Sequence, residues 1–461
     1  MQANAPLLDQ KATLRSRQRQ IAPGPRYYTP FGALSTLRRN PLQFYMDAAK
    51  FGDIVRVQMG PWFHHFLTHP DHIKHVLQDN NQNYGRSIFM KMLKPALGDG
   101  LLTSEGDFWR RQRRLAQPVF HRQRIAAFAT IMTEAAESML QRWHPVAVSG
   151  QPLEIMAEMS NLTLGITGKA LFSSDISPDE MMSAQKGFLE HFNHRFKHFF
   201  TVPERIPTPR NHRFWKVVRT MDKVAYGIIA ERRHSGQDKG DLLSMLLCAR
   251  DEETGEGMND KQLRDEVTTF LGAGSETTAV TLAWTWYLLS THPEVDRKLR
   301  AELAEVLSGC TPTAEDLPNL KYTKMVIEEA LRLYPPAWGM SRHALGDDKV
   351  GGYHIPANSV VVLSPYVTHR LPAFWENPEG FDPERFTPER SAGRPRYAYF
   401  PFGGGPRQCI GNEFALMEAQ LVVATVAQKY HLYLVPGHPV VPYPIFTLRP
   451  RHGVLMSLHK A

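Results

Sequence analysis

The stretch Phe402-Gly403-Gly404-Gly405-Pro406-Arg407-Gln408-Cys409-Ile410-Gly411 decides how this chain is read. Three consecutive glycines ahead of a lone cysteine describe backbone that turns tightly and approaches something closely. Gly411 and the following Asn412-Glu413-Phe414-Ala415-Leu416-Met417-Glu418 predict a helix that starts just after the cysteine. A cysteine at a helix N-terminus, with Arg407 two residues away, has its thiolate favoured by the dipole and the nearby positive charge. Thiolate is the form that binds metal. The commoner fate of a free cysteine is to be a small buried hydrophobe, and the residues of this stretch alone leave that alternative open.

The run also matches the pattern F-x-x-G-x-R-x-C-x-G, and in this it resembles the haem-binding loop of the cytochromes P-450, the haem-thiolate monooxygenases. The resemblance implies haem b (iron protoporphyrin IX) with Cys409 as the axial thiolate of the iron, and Phe402 and Gly411 in the cofactor-binding loop. In that family, electron donation from the thiolate favours O–O cleavage.

Working outward, Glu329-Ala330-Leu331-Arg332 places a carboxylate and a guanidinium at i and i+3, on one helix face. Such pairs are usually solvent-exposed, but the flanks Val326-Ile327 and Leu331-Leu333-Tyr334 are apolar, which suggests a partly buried pair that needs a third partner. The family has an E-x-x-R helix of this kind, completed by the arginine of a P-E-R-F segment, here Pro383-Glu384-Arg385-Phe386. The implied triad Glu329, Arg332 and Arg385 is structural.

Ala273-Gly274-Ser275-Glu276-Thr277-Thr278 lies inside a helical run from about Gln262 to Leu289. Glycine costs about 1 kcal/mol relative to alanine in a helix interior and threonine is a poor helix former. Either the helix bends through threonine back-bonding or it packs closely at Gly274. The segment is similar to the family's oxygen-binding helix, where a local opening of the hydrogen-bond ladder makes a groove over the iron. The resemblance then implies that Ala273 lies against haem, that Thr277 donates a hydrogen bond to dioxygen, and that Glu276 relays protons from solvent. This acid–alcohol pair favours an O2-dependent monooxygenase over a peroxide-dependent peroxygenase or isomerase.

Trp109-Arg110-Arg111-Gln112-Arg113-Arg114 sets Trp109 and Arg113 one above the other on a helix. The family's W-x-x-x-R helix uses such a pair to hold a haem propionate, a carboxylate suited to a guanidinium fork. Arg342 and Arg407 are further propionate candidates by the same resemblance, which covers essentially the whole chain.

The composition agrees with a globular protein: 461 residues, 42% hydrophobic and 22% charged. Three cysteines, Cys248, Cys310 and Cys409, are too few for a disulfide framework. No window reaches the ~18–20 apolar residues of a membrane span, and Ala279 to Leu289 comes closest. The N-terminus lacks the apolar centre of a signal peptide, although its arginines leave an organellar transit peptide as an alternative. The expectation is a soluble, cytoplasmic chain, monomeric by default. Residues 1–20 read as a polar tail, and residues 21–461 as one domain of the cytochrome P-450 fold, mainly α with small β-sheets. In that fold the haem lies between the oxygen-binding helix and the cysteine loop. Asp53 to Met59 alternates as a strand does, Ile131 to Leu140 repeats as a helix does, and the chain is turn- and strand-rich from Tyr334 to Phe414.

A formal net charge of +8 admits nucleic acid, an anionic membrane or an acidic protein as partner. A basic, non-enzymatic nucleic-acid-binding protein is the competing reading of another class, and charge alone supports it. The sequence shows no flavin or nicotinamide fingerprint and no room for a reductase domain, so electrons are expected from a separate ferredoxin or flavodoxin. The docking patch expected for it is Arg110, Arg111, Arg113, Arg114, His121, Arg122 and Arg124. By the same resemblance Ile88, Phe89, Met92, Leu97, Phe270, Ala273, Ala337, Trp338, Ile445 and Phe446 line the substrate pocket. As a set they imply a lipophilic substrate such as a fatty acid or terpenoid.

Overall fold

The computed structural model describes residues 20–26, 32–60, 62–198, 201–250 and 255–461. Its helical part is carried by α1 (Gly106–Ala116), α2 (Ala129–Ser149), α3 (Ile155–Phe172), α4 (Pro178–Lys197), α5 (Pro209–Ser235), α6 (Asp260–Thr291), α7 (Lys321–Leu333) and α8 (Asn412–Ala427). The strands used below are β1 (Ile54–Met59), β2 (Trp62–Leu67), β3 (Tyr84–Arg86), β4 (Met340–Ala344), β5 (Val360–Leu363), β6 (Tyr430–Leu434), β7 (Pro442–Pro444), β8 (Leu448–Pro450) and β9 (Leu455–Lys460). The architecture is mainly α with small sheets.

Helix α6 is the axis of the molecule. Its start is fixed by a capping box: Gln262 N–H donates to the Asn259 side chain and Asn259 N–H donates to the Gln262 side chain, both at 2.9 Å. With 32 residues it is about 48 Å long, and most of its length is buried on all sides, as in a helix surrounded by others. Helices α3, α5, α7 and α8 pack around it. The contact with α3 is close at Gly274: a Cβ there would meet Thr167 Cγ2 at 3.0 Å, and Thr163 Oγ1 donates to Ser275 O at 2.9 Å nearby. Close packing at Gly274 and threonine back-bonding therefore occur together, since Thr277 and Thr278 donate to the carbonyls of Ala273 and Gly274.

The largest sheet has the order β1-β2-β5-β4-β3, with β2 and β5 parallel and the other pairs antiparallel. Its register sets Arg86 of β3 directly opposite Arg342 of β4. β7 and β8 form a separate antiparallel hairpin, and β9 joins β6 to Leu153–Glu154.

Glu329, Arg332 and Arg385 meet in the interior, each under 4% exposed. Arg332 donates Nε to Glu329 Oε2 and Nη2 to Oε1, both at 2.7 Å, and Arg385 Nε donates to Oε1 at 3.2 Å. The remaining guanidinium donors reach the carbonyls of His369, Pro378, Gly380, Glu376 and Asn377. A buried ionic cluster is tolerable only when satisfied in this way.

The element boundaries read from sequence differ by one or two residues: Ile54 rather than Asp53, Asp260 rather than Gln262, Asn412 rather than Phe414. The expected polar tail lies outside the described residues except for Gln20, whose carbonyl accepts from His354 N–H.

Candidate active site

The cysteine loop is built by its neighbours. Gly405 has φ +64°, and a Cβ there would sit 1.7 Å from Leu77 O, while one at Gly404 would sit 2.3 Å from Tyr397 Cε1. Two of the three glycines thus answer a close approach, as their sequence suggests. Cys409 N–H donates to Phe402 O at 2.9 Å, closing the loop ahead of α8. The cysteine is enclosed by protein yet solvent-accessible, so its sulfur faces an opening rather than packed side chains. Burial pushes the Cys409 thiol up, against the Gly411 N–H and the Arg113 charge, which favour the thiolate. This corrects the expectation from the helix dipole: burial outweighs the local positive groups, and the arginine that bears on the sulfur is Arg113, not Arg407. Arg113 Nη1 donates to Gln408 O at 2.9 Å, one residue before the cysteine.

Arg407 turns the other way. Its guanidinium lies over the Trp109 ring, 4.2 Å from the centroid, and donates to Ser104 O. It stands near Arg86 and Arg342, which the sheet register has already paired. Burial lowers Arg342 to about 10, with Arg407 adding to the shift. Burial also holds Arg86 well below its ordinary value, reinforced by Arg342 and Arg407 and opposed by Glu105. Arg86 Nε is buried without a hydrogen-bond partner. Like charges directly opposite one another in a sheet are destabilising, so three converging guanidinium groups match a ligand that brings carboxylates. Arg86 was missed in the sequence. It lies in no motif, and only the β3–β4 register brings it to Arg342.

Across the site, Gly272 and Ala273 are exposed in the middle of the otherwise buried α6, and a Cβ at Gly272 would meet nothing within 4 Å. That face of the helix leaves room for a flat group. Phe270 of α6 stacks on Phe120 at 5.7 Å, and Phe120 lies against Gly411, so the helix and the cysteine loop are bridged by two aromatic rings. The backbone stays α-helical from Ala273 to Thr278, without the local opening that the resemblance implied. Thr277 Oγ1 donates to Ala273 O at 2.9 Å, a side-chain bond that the helix accommodates without breaking its ladder.

Glu276 is 3% exposed. Oε1 accepts from Thr447 Oγ1 at 2.7 Å and from Arg449 Nε at 2.6 Å; Oε2 accepts from Arg449 Nη2 at 2.5 Å and from Gln185 Nε2 at 2.9 Å.

The expected pocket residues divide. Trp338 Nε1 donates to Ile445 O at 3.0 Å, which ties Trp338 to the β7–β8 turn. Phe446 meets Phe188 and Phe192 of α4 edge-on at 6.2 and 5.4 Å, and Phe89 meets Phe196 at 5.7 Å. Leu97 and Phe270 belong to the main core, Met92 is half-buried, and Ala337 and Ile88 are exposed. The aromatic residues of α4 were not singled out in the sequence, although Phe188, Phe192 and Phe196 recur every four residues.

Among the described residues no three His, Cys, Asp or Glu side chains converge as a metal-ligand set. Cys409 as a lone protein ligand therefore suits a metal that arrives with its other ligands attached. The family described as cytochrome P450 matches residues 22–456. The chain belongs to the cytochrome P450 family. It is 38% identical to cyclooctat-9-en-7-ol 5-monooxygenase of Streptomyces melanosporofaciens over 88% of each chain. It is 37% identical to cyclooctatin synthase of the same organism, over 89% of this chain and 90% of the relative. Pentalenene oxygenase of Streptomyces avermitilis is 32% identical, over 89% and 91%. This P450 is a monooxygenase with a haem cofactor, and acts with O2, a redox partner and a lipophilic substrate. The accessible cysteine of the loop, the three convergent arginines and the open face at Gly272 fit that group.

Proposed function

We propose that this P450 hydroxylates a cyclic terpenoid. The observation that carries the reading is the aromatic cluster of Phe188, Phe192 and Phe446, together with Phe89 and Phe196: these rings offer contact area to a rigid hydrocarbon. Relatives named for cyclooctat-9-en-7-ol and pentalenene support a terpenoid over a fatty acid.

In this reading Cys409 is the thiolate ligand, Gly411 N–H and Arg113 stabilise its negative charge, and Arg86, Arg342 and Arg407 neutralise the propionates. Trp109 orients Arg407 from below. When bound, haem supplies the redox chemistry that puts one oxygen atom of O2 into a C–H bond and releases the other as water. Thr277 turns its hydroxyl from Ala273 O toward the reacting oxygen, and Glu276 passes it protons from solvent. The aromatic residues exclude water. Electrons come from a ferredoxin or flavodoxin attracted to Arg110, Arg111, Arg114, Arg122 and Arg124.

Titration of the ferric holoenzyme tests the substrate class. Cyclic terpene hydrocarbons and alcohols are expected to displace the water ligand and shift the Soret band at micromolar concentration, with long-chain fatty acids much weaker. Tight fatty-acid binding with no terpenoid response would contradict the reading.

A further inference from the structure

Gly404 and Gly405 of the cysteine loop both fit against one short element, the π-helical turn His75–Asp79. Its Leu77 carbonyl is the group that leaves no room for a Cβ at Gly405. The next residue, Gln78, accepts at Oε1 from Tyr397 OH at 3.0 Å, and the Tyr397 ring is what fills the space beside Gly404. Turns of this kind are rare and often stand at functional sites.

The turn is held from outside by Asp348. Three donors converge on its Oδ2: His75 Nε2 at 2.8 Å, Asn80 Nδ2 at 3.1 Å and Tyr84 OH at 2.6 Å. Oδ1 accepts from Lys349 N–H at 2.7 Å, and the side chain is 12% exposed. Burial pushes the Asp348 carboxyl up, but the hydrogen bonds from Tyr84, His75 and the Lys349 N–H outweigh it and hold the group below its ordinary value. His75 opens the turn and Asn80 follows its last residue, with Asn80 N–H donating to His75 O at 2.8 Å. One oxygen therefore spans both ends of the turn and fixes where Leu77 O and Gln78 stand. Tyr84 lies on β3 two residues before Arg86, on the same face of the strand. The same carboxylate thus also fixes the strand that presents Arg86.

We propose that Asp348 is a positioning residue for the haem: through the His75–Asp79 turn it sets the cysteine loop, and through Tyr84 it sets Arg86. The inference rests on the reading of Cys409 as thiolate ligand and Arg86 as a propionate partner. A cysteine loop free to shift holds the Gly411 N–H less firmly toward the sulfur. More negative charge then stays on the thiolate, which favours ferric over ferrous iron. A looser Arg86 leaves propionate charge less neutralised and acts in the same direction.

The test compares the holoenzymes of wild type, Asp348→Asn and Asp241→Asn. Asp241 is a buried carboxylate that pairs with Arg232 and accepts from Ser173, outside both arms, so its variant reports the effect of lost stability alone. Asp348→Asn is expected to lower the reduction potential, so that the ferric-to-ferrous ratio at a fixed solution potential rises severalfold. It should also speed haem transfer to an acceptor protein by roughly tenfold and quicken hydrogen exchange in residues 402–411. Asp241→Asn should lower the melting temperature and leave all three near wild type. Variants that remove one donor divide the arms: His75→Ala should act mainly on the potential, and Tyr84→Phe mainly on haem transfer. An unchanged potential and haem transfer in Asp348→Asn, or equal shifts in Asp241→Asn, overturns the inference. Should Asp348→Asn fail to take up haem, the two single-donor variants decide, and no change in either is equally fatal. Failure of the underlying reading shows separately: a haem-loaded wild type lacks the red-shifted band under carbon monoxide, or Arg86→Met leaves haem transfer unchanged.

Discussion

Arg86 faces Arg342 across two strands and Arg407 from the cysteine loop, with Glu105 as an opposing charge. The arrangement is unfavourable without an anion and favourable with two propionates, so one substitution should act in opposite directions on the two forms. Arg86→Met is expected to leave the melting temperature of the haem-free protein unchanged or raised, and to speed haem loss by roughly tenfold. Haem transfer to an acceptor protein and calorimetry of the haem-free form check both halves; a destabilised haem-free form would contradict the charge argument. Glu266 gives a residue-scale prediction in pH. Burial raises its carboxyl to about 8, with Leu101 N–H lowering it and Asp265 raising it further. The unfolded chain loses that proton near about 4.3, so the stability linked to Glu266 is complete below that value and is lost as pH rises through about 8. Glu266→Gln should narrow the difference in melting temperature between pH 5 and pH 8, and an unchanged difference would show that Glu266 ionises freely. The Glu329–Arg332 pair could be read from sequence because i and i+3 share a helix face, and Arg385 joined it through the resemblance of its P-E-R-F segment. Arg86, and Arg449 as partner of Glu276, could not, because those pairings are made by strand register and by a hairpin 173 residues further on.

At the scale of elements, the cysteine loop and α6 were legible for different reasons. The loop announces itself by glycines whose places are forced by Leu77 and Tyr397. Gly405→Ala puts a methyl group into the Leu77 carbonyl at a left-handed φ, and is expected to abolish haem uptake while far-UV circular dichroism changes little. Normal haem content in that variant would mean that the turn at Gly405 can rearrange. Helix α6 was found within two residues of its ends because its helical run marks it, while the Asn259–Gln262 box that fixes its start was not used. Its unbroken ladder through Thr278 was not legible, since threonine back-bonding and a local opening leave the same residues in the same order.

For the whole molecule, the mainly helical architecture followed from the length of the helical runs, whereas the sheet order depends on contacts between strands far apart in the chain. No helix among the described residues is long and apolar enough to cross a membrane. The positive charge expected to meet a redox partner is only partly free. Arg124 donates to Gly240 O and Arg122 lies 3.8 Å from Glu413, both at the surface where a partner's acids would compete. Reversing both to glutamate should raise the KM for ferredoxin or flavodoxin several-fold at low salt and leave terpenoid binding unaltered; unchanged partner kinetics would move the docking face elsewhere. The central claim is that Cys409 binds haem iron through sulfur, and the absorption spectrum of the reduced protein under carbon monoxide tests it most directly. A strongly red-shifted Soret band is expected in the wild type, and its loss in Cys409→Ser. A haem-loaded wild type with an unshifted band, or a shifted band that persists in Cys409→Ser, would contradict it.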